Sequence, residues 1–294
     1  MPKTFTIQDF FARFPDDQAC LDHLMKVRFG EFQTCPKCGK EGRFARLKKL
    51  PAYSCPWCGH HIHPMVGTPF ERSSTPLQKW FYAMYMFTTT RNGVAAKELQ
   101  RQLGVTYKTA WRIGHELRKY MAIVDGDDML GGYGRPIVEA DKAFIGGKDK
   151  RGADDKTVVL GMVERKGDVL TRVIPNRRSE NVIRMIRKYV REGARIATDD
   201  GRPFMDLKSW GYYHEAVNHL AKEWVRDDTH TNTIESFWAI LKRGINGTHI
   251  WVSAKHLQKY LWEFEFRYNL RKQPHLMFDL LLLAFPRPSR ARGD

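Results

Sequence analysis

Apolar residues recur along this chain with one of two periods, and the period changes from segment to segment. Residues 5–33 read as helical, with Leu21, Leu24, Met25 and Phe29 at helical spacing. No period persists over 34–72, where Cys, Gly, Pro and basic residues dominate. Helical patterning returns over 76–122: PLQKWFYAMYMFTTTR opens on a proline suited to a first helical turn, and AAKELQRQLG and VTYKTAWRIGHELRKYM are joined at Gly104. The Gly- and Asp-rich stretch 125–136 reads as a linker. Beyond it the period becomes two. IVEADKAFIGG, TVVLGMVERKG and DVLTRVIP predict three strands, the last two joined by a hairpin turn at Lys166-Gly167. SENVIRMIRKYVREG predicts a helix capped by Ser179 and ended by Gly193, and ARIATDD a fourth strand. Residues 231–246 and 253–272 read as helices, LMFDLLLLAF as a last apolar helix, and PRPSRARGD as a basic, frayed tail. Three strands, a helix and a further strand define a mixed α/β domain.

Composition narrows the classes. The chain has 294 residues, 42% hydrophobic and 28% charged, which excludes wholesale disorder and allows a full core without disulfide staples. Its formal net charge of +16 points to a polyanion, nucleic acid first and an acidic membrane surface second. No run of 18 apolar residues exists to span a bilayer, and MPKTFTIQDFFARFPDD lacks a secretory apolar core, so no membrane role and a cytoplasmic location are expected. Thiols stay reduced there, which favours metal ligands over disulfides.

Cys35-Pro-Lys-Cys38 and Cys55-Pro-Trp-Cys58 are two CxxC knuckles with 16 residues between them. Each puts two thiolates on one ion, and together they supply the four soft ligands of a structural Zn²⁺ in a ribbon over 34–72. Four thiolates fill the coordination shell, so His60, His61 and His63 are expected on the surface or against DNA, and Cys20 as a small core residue. The helix pair at 95–121 has a helix-turn-helix pattern whose second helix carries Lys108, Thr109, Arg112 and His115. Such a helix offers polar side chains to base edges and basic ones to phosphate.

Three acids stand in informative places. Asp141 lies within an apolar strand, Asp199 at a strand's carboxyl end with Asp200 beside it, and Glu235 near the start of a helix. Carboxylates from separate elements that converge on divalent ions suit two-metal phosphoryl transfer. Each also has a plainer reading: an edge charge, a turn residue, and a capping-box partner of Asn232. Lys242 follows Glu235 by seven residues and shares its helix face, where an ammonium could meet phosphate.

At this point the residues resemble a known family, the bacterial insertion-sequence transposases with an N-terminal zinc ribbon and a DDE catalytic domain. FPDDQACLDHL precedes the ribbon and MVGTPFERSSTPLQKWFYAMY follows it, LGVTYKTAWR is similar to the family's helix-turn-helix, and VEADKAFIGGK to its first catalytic strand. ATDDGRPF resembles the second catalytic motif and favours Asp199 over Asp200. HTNTIESFWAILKRGINGTHIWVSAKHLQKYLWEFEFRYN resembles the third, with Glu235 as the last acid and Lys242 as its companion. The resemblance implies a multidomain chain: a helical segment (1–33), the zinc ribbon (34–72), a helix-turn-helix region (75–124) and an RNase H-like catalytic domain with C-terminal helices (134–286). It implies Mg²⁺ or Mn²⁺ on Asp141, Asp199 and Glu235, catalysis by these with Lys242, and DNA contacts from Lys108, Thr109, Arg112, Lys242 and Arg243. The partners implied are double-stranded DNA, as terminal inverted repeats and target, and further copies of the chain on that DNA in the nucleoid. One departure stands out: Lys142 occupies a position where the family usually has an acidic or small residue. An inactive DNA-binding regulator descended from such an enzyme, or a nuclease that cuts without joining, is the alternative.

Overall fold

Pro15 divides the N-terminal helical stretch in two. Proline lacks a donor and disfavours helical backbone in the residue before it. In the computed structural model, which describes residues 5–132, 134, 136–146, 156–199, 201–217, 225–226 and 228–286, α1 (Ile7–Arg13) starts at a reciprocal capping box between Thr6 and Asp9. Helix α2 (Asp17–Phe29) starts at Asp16, whose carboxylate accepts the Ala19 amide at 2.8 Å. Two small antiparallel sheets follow, β1 (Gln33–Thr34) with β2 (Glu41–Gly42), and β3 (Ala45–Arg46), β4 (Tyr53–Ser54) and β5 (His61–Ile62). Strands of two residues hold few ladder bonds, so the cysteines between them carry the fold of this module.

Helices α3 (Leu77–Thr89), α4 (Ala96–Leu103) and α5 (Tyr107–Asp125) come next. The last apolar helix, α9 (Met277–Ala284), packs on α3. Phe278 meets Phe10, Phe14 and Tyr85 edge to face, while Phe285 meets Phe70, Trp80 and Tyr120. This helix therefore belongs to the first of two compact units, with α1 to α5 and the short strands, although sequence position assigns it to the α/β domain. Its apolar side chains complete an aromatic cluster that a linear reading cannot see.

The second unit is built on a five-stranded sheet of order β10-β9-β6-β7-β8. Strands β6 (Val138–Ile145), β7 (Thr157–Glu164) and β8 (Val169–Ile174) form an antiparallel meander, and β9 (Arg195–Asp199) and β10 (Tyr213–Val217) run parallel to β6. The β7–β8 turn passes through Lys166 at φ +63° and Gly167, as the sequence implied. On one face Val138, Ala140, Leu160 and Met162 pack against α6 (Ser179–Tyr189) and the 3-10 segment Arg202–Trp210. On the other, Ala143, Val159 and Val163 pack against α7 (Asn232–Gly244) and α8 (Ala254–Asn269).

Four local expectations are corrected. Ser179 does not cap α6: it is the first helical residue, and its hydroxyl donates to the Pro203 carbonyl at 3.1 Å. The helix ends at Tyr189 rather than at Gly193, because Val190 turns extended and bridges Leu130. Leu130, within the expected linker, is buried by that bridge. Strand β10 was not expected, since YHEAV has polar side chains at an exposed sheet edge and shows no apolar alternation. Asp200 and the tail from residue 287 lie outside the described residues.

Candidate active site and metal centre

The four knuckle cysteines converge. Their Sγ atoms all lie within 4.8 Å of one another, with Cys35–Cys58 at 3.6 Å and Cys38–Cys55 at 3.9 Å. A tetrahedron of thiolates at about 2.3 Å from zinc has edges of about 3.8 Å. The donor set therefore fits Zn²⁺. Gly39 (φ +69°) and Gly59 (φ +71°) close the knuckles in the left-handed region, where their amides return to the Cys35 and Cys55 carbonyls. His61 and His63 are exposed, and Cys20 is buried, as anticipated.

Helices α4 and α5 are joined through Gly104 at φ +58° and Thr106, whose hydroxyl accepts the Thr109 amide at 3.2 Å. Lys108 is exposed, Thr109 half-buried, and Arg112 exposed with its guanidinium 5.3 Å from the Trp80 ring centroid. His115 does not share their exposure. It is 3% exposed and stacked on Trp111, buried although helical spacing puts it in line with the exposed Lys108 and Arg112.

In the second unit the acids are placed by β6, β9 and α7. The parallel register aligns Ala140 with Thr198, so Asp141 and Asp199 follow side by side and project to one face. Asp141 Oδ1 accepts the Lys142 amide at 2.6 Å, and Oδ2 accepts the Trp238 indole N–H at 3.0 Å. Burial, then the charge of Asp199, pushes the Asp141 carboxyl up to about 6, against the pull of those two donors. Asp199 Oδ1 is buried with no hydrogen-bond partner among the described residues, and Lys142 Nζ stands 3.9 Å from it. Two adjacent carboxylates, one with a buried oxygen that accepts no hydrogen bond and, among the described residues, meets only the Lys142 ammonium, fit a cation.

Glu235 sits in the first turn of α7, exposed, and its carboxylate accepts the Thr231 hydroxyl at 2.7 Å. Asn232 is the first helical residue and Thr231 the N-cap, so the expected capping box is not formed: the Thr231 hydroxyl bonds the Glu235 side chain and no side chain caps the backbone. Asp141, Asp199 and Glu235 do not all lie within 4.8 Å: among the described residues only the cysteines form such a group. The Glu235 carboxylate is engaged by Thr231 instead. Lys242 and Arg243 are exposed in the last turn of α7. Lys142 is nearly buried, its ammonium 4.5 Å from the Phe204 ring centroid and directed to Asp199.

Three positioning residues escaped sequence reasoning. Glu139 is fully buried two residues before Asp141, on the same face of β6. It accepts the Thr233 and Ile234 amides at 2.8 and 3.1 Å, the Thr233 hydroxyl at 2.9 Å and Arg165 Nε at 2.7 Å. A carboxylate at the first N–H groups of α7 ties the helix of Glu235 to the strand of Asp141. Trp238 adds the second tie, and Gly161 admits it: a Cβ there would meet the indole at 2.4 Å. Gly161 pairs with Asp141 across β6 and β7. The alternation V-E-A-D, two acids on one strand face, was the available signal for Glu139.

Comparison with known proteins follows the same division. The profile of the transposase zinc-ribbon domain matches residues 15–61, and that of the ISXO2-like transposase domain matches residues 129–269. A protein of transposable element ISH50 from Halobacterium salinarum is 27% identical over 289 residues, covering 89% of this chain and 94% of its own. A transposase-like protein of Haemophilus influenzae is 30% identical over 107 residues, covering 35% of this chain and 83% of its own. No helix among the described residues is long and apolar enough to cross a membrane.

Proposed function

The chain belongs to the insertion-sequence transposases that join a zinc ribbon to an ISXO2-like transposase domain, and from that premise we propose that it binds the terminal inverted repeats of its element, cleaves a strand at each end and transfers the freed 3′-hydroxyl to target DNA. The adjacency of Asp141 and Asp199, with an Asp199 oxygen that accepts no hydrogen bond among the described residues, carries this reading. The sheet supports an RNase H-like catalytic core over 134–286 without α9, since a three-strand meander continues into two parallel strands. Asp141, Asp199 and Glu235 would hold Mg²⁺ or Mn²⁺. A bound divalent ion would activate the attacking oxygen and stabilise the leaving one.

The protein's own groups do the rest. Glu139 and Trp238 hold α7 against β6 so that Glu235, once released from Thr231, turns toward the two aspartates. Lys242, about two helical turns beyond Glu235, and Arg243 meet the phosphates of the bound strand. Zn²⁺ on Cys35, Cys38, Cys55 and Cys58 would shape the ribbon (34–72), which with the helix-turn-helix region (75–124) engages the repeat. Lys108, Thr109 and Arg112 lie on the α5 turn that faces DNA. One active site per element end requires at least two copies on the DNA, in the nucleoid.

The test is cleavage of a terminal-repeat duplex by the full chain with Mg²⁺ or Mn²⁺. Asp141→Asn, Asp199→Asn and Glu235→Gln should each abolish cutting while leaving DNA binding intact. Cutting that survives Asp199→Asn and disappears in Asp200→Asn assigns the chemistry to the neighbouring aspartate. The proximity of Lys142 to Asp199 favours a second reading, a repeat-binding regulator whose metal site is disabled. Binding without cutting in the wild type, with cutting restored by Lys142→Glu, would establish it.

A further inference from the structure

The segment after α7 displays two large apolar side chains to solvent on a strained backbone. The π-helical turn Ile245–His249 ends α7, and Ile250 then adopts φ +64°, ψ −51°. The Trp251 amide returns to the His249 carbonyl at 2.6 Å, closing a three-residue turn of the rare hand. A β-branched residue with positive φ is an outlier that persists only where its surroundings enforce it. Here both flanks are anchored: Ile245 and Val252 are 5% and 9% exposed in the core under α7 and α8. Between them Ile250 is 81% exposed and Trp251 65% exposed. The fold holds this pair outward.

The charge around the pair selects its occupant. From Ser236 to Trp262 the sequence contains no Asp or Glu, while Lys242, Arg243, Lys255 and Lys259 fall within it. An apolar tip on a stretch with four fixed cations and no acid matches a polyanion that also offers an apolar face. Paired DNA hides its base faces, and an unpaired or extruded base exposes one. Glu235 to Gly244 is about 14 Å along the helix axis, the length of about four base pairs.

We propose that Ile250 and Trp251 form a wedge that stacks on an unpaired base of the DNA lying along α7, a few nucleotides from the acids. This rests on the DNA strand-transfer reading of that site. The wedge would stabilise a distorted end and so favour substrates already open at the reacting position.

The full chain with Asp199→Asn, which removes cutting, serves as the parent for binding measurements. The probes are a fully paired terminal-repeat duplex and the same duplex with one extruded 2-aminopurine. Adding Trp251→Ala should weaken binding to the extruded-base duplex about ten-fold and change the paired duplex by less than about two-fold, while Trp251→Phe retains most of the difference. The parent should quench the 2-aminopurine fluorescence, and the Trp251→Ala protein should not. Trp251 is exposed, so an unchanged melting temperature is expected and checks the fold. Equal losses on both duplexes, or no loss, overturn the wedge. So does altered sedimentation of the DNA-free Trp251→Ala protein, which assigns the pair to contact between copies. A parent that binds neither duplex overturns the strand-transfer reading itself, a different result from a parent that binds both and is indifferent to Trp251.

Discussion

The indole N–H of Trp238 reaches Asp141 Oδ2 at 3.0 Å, joining the helix that carries Glu235 to the strand that carries Asp141. Trp238 lies three residues after Glu235 and rests on Gly161, the cross-strand neighbour of Asp141. One side chain thus sets the spacing between two of the proposed metal-binding acids.

Gly161→Ala should disturb that spacing. The added methyl has no room against the indole, and overpacking of this kind costs about 1–3 kcal/mol. Denaturant unfolding should show the loss. Cleavage should fall much further than DNA binding, because α7 moves relative to β6. A variant that cuts at the wild-type rate would show that the indole contact does not position the acids.

Glu139→Ala should be among the most destabilising single changes in the second unit. It leaves Arg165 without its buried partner and uncaps α7, and breaking a buried ion pair costs about 3–5 kcal/mol. Glu139→Gln preserves the shape and should lose less. Both should reduce cutting without altering the metal requirement. Urea titration of the two variants beside the wild type checks the ranking.

Asp141 makes the metal-free protein sensitive to pH. Its carboxyl is raised from 3.8 to about 6, so the native state binds this proton more tightly than the unfolded chain does. Its contribution to stability therefore improves as pH falls from about 6 toward 3.8, and the cost of the buried charge is full above about 6. In EDTA, Asp141→Asn should raise the melting temperature at pH 7 to 8, and the gain should fade toward pH 4. A gain that is flat across that range contradicts the assignment. Mg²⁺ binding should release protons near pH 6, since the ion favours the carboxylate.

Zinc should be present at one ion per chain. The ribbon's strands are two residues long, so metal binding supplies much of its folding energy. Replacing any of Cys35, Cys38, Cys55 or Cys58 by Ser should release the metal and unfold the ribbon. Elemental analysis and protease sensitivity of residues 34–72 report the result. Folded protein that holds no zinc would refute it.

Arg112→Ala and Lys108→Ala should narrow the difference in affinity between terminal-repeat and random duplex. Losses equal on every sequence would mean these side chains touch phosphate alone.

Local chemistry carried the sequence reading far. The CxxC knuckles, the helical and alternating periods, the Lys166-Gly167 turn and the Gly104 break each depend on residues close in the chain, where spacing alone dictates geometry. The same reading found Asp141, Asp199 and Glu235, because a resemblance over short runs marked them. It missed Glu139, Trp238 and Gly161, and it did not foresee that His115 is buried. These depend on partners 20 to 97 residues away, or on where the core lies against a helix, and no local period encodes either. It also left α9 with the sheet, whereas the aromatic cluster of Phe10, Trp80 and Tyr120 recruits it to the first unit. The sequence by itself determined which side chains could do chemistry. Tertiary structure alone decided which of them meet, because strand register puts Asp199 beside Asp141 and a buried glutamate fixes where the helix of Glu235 begins.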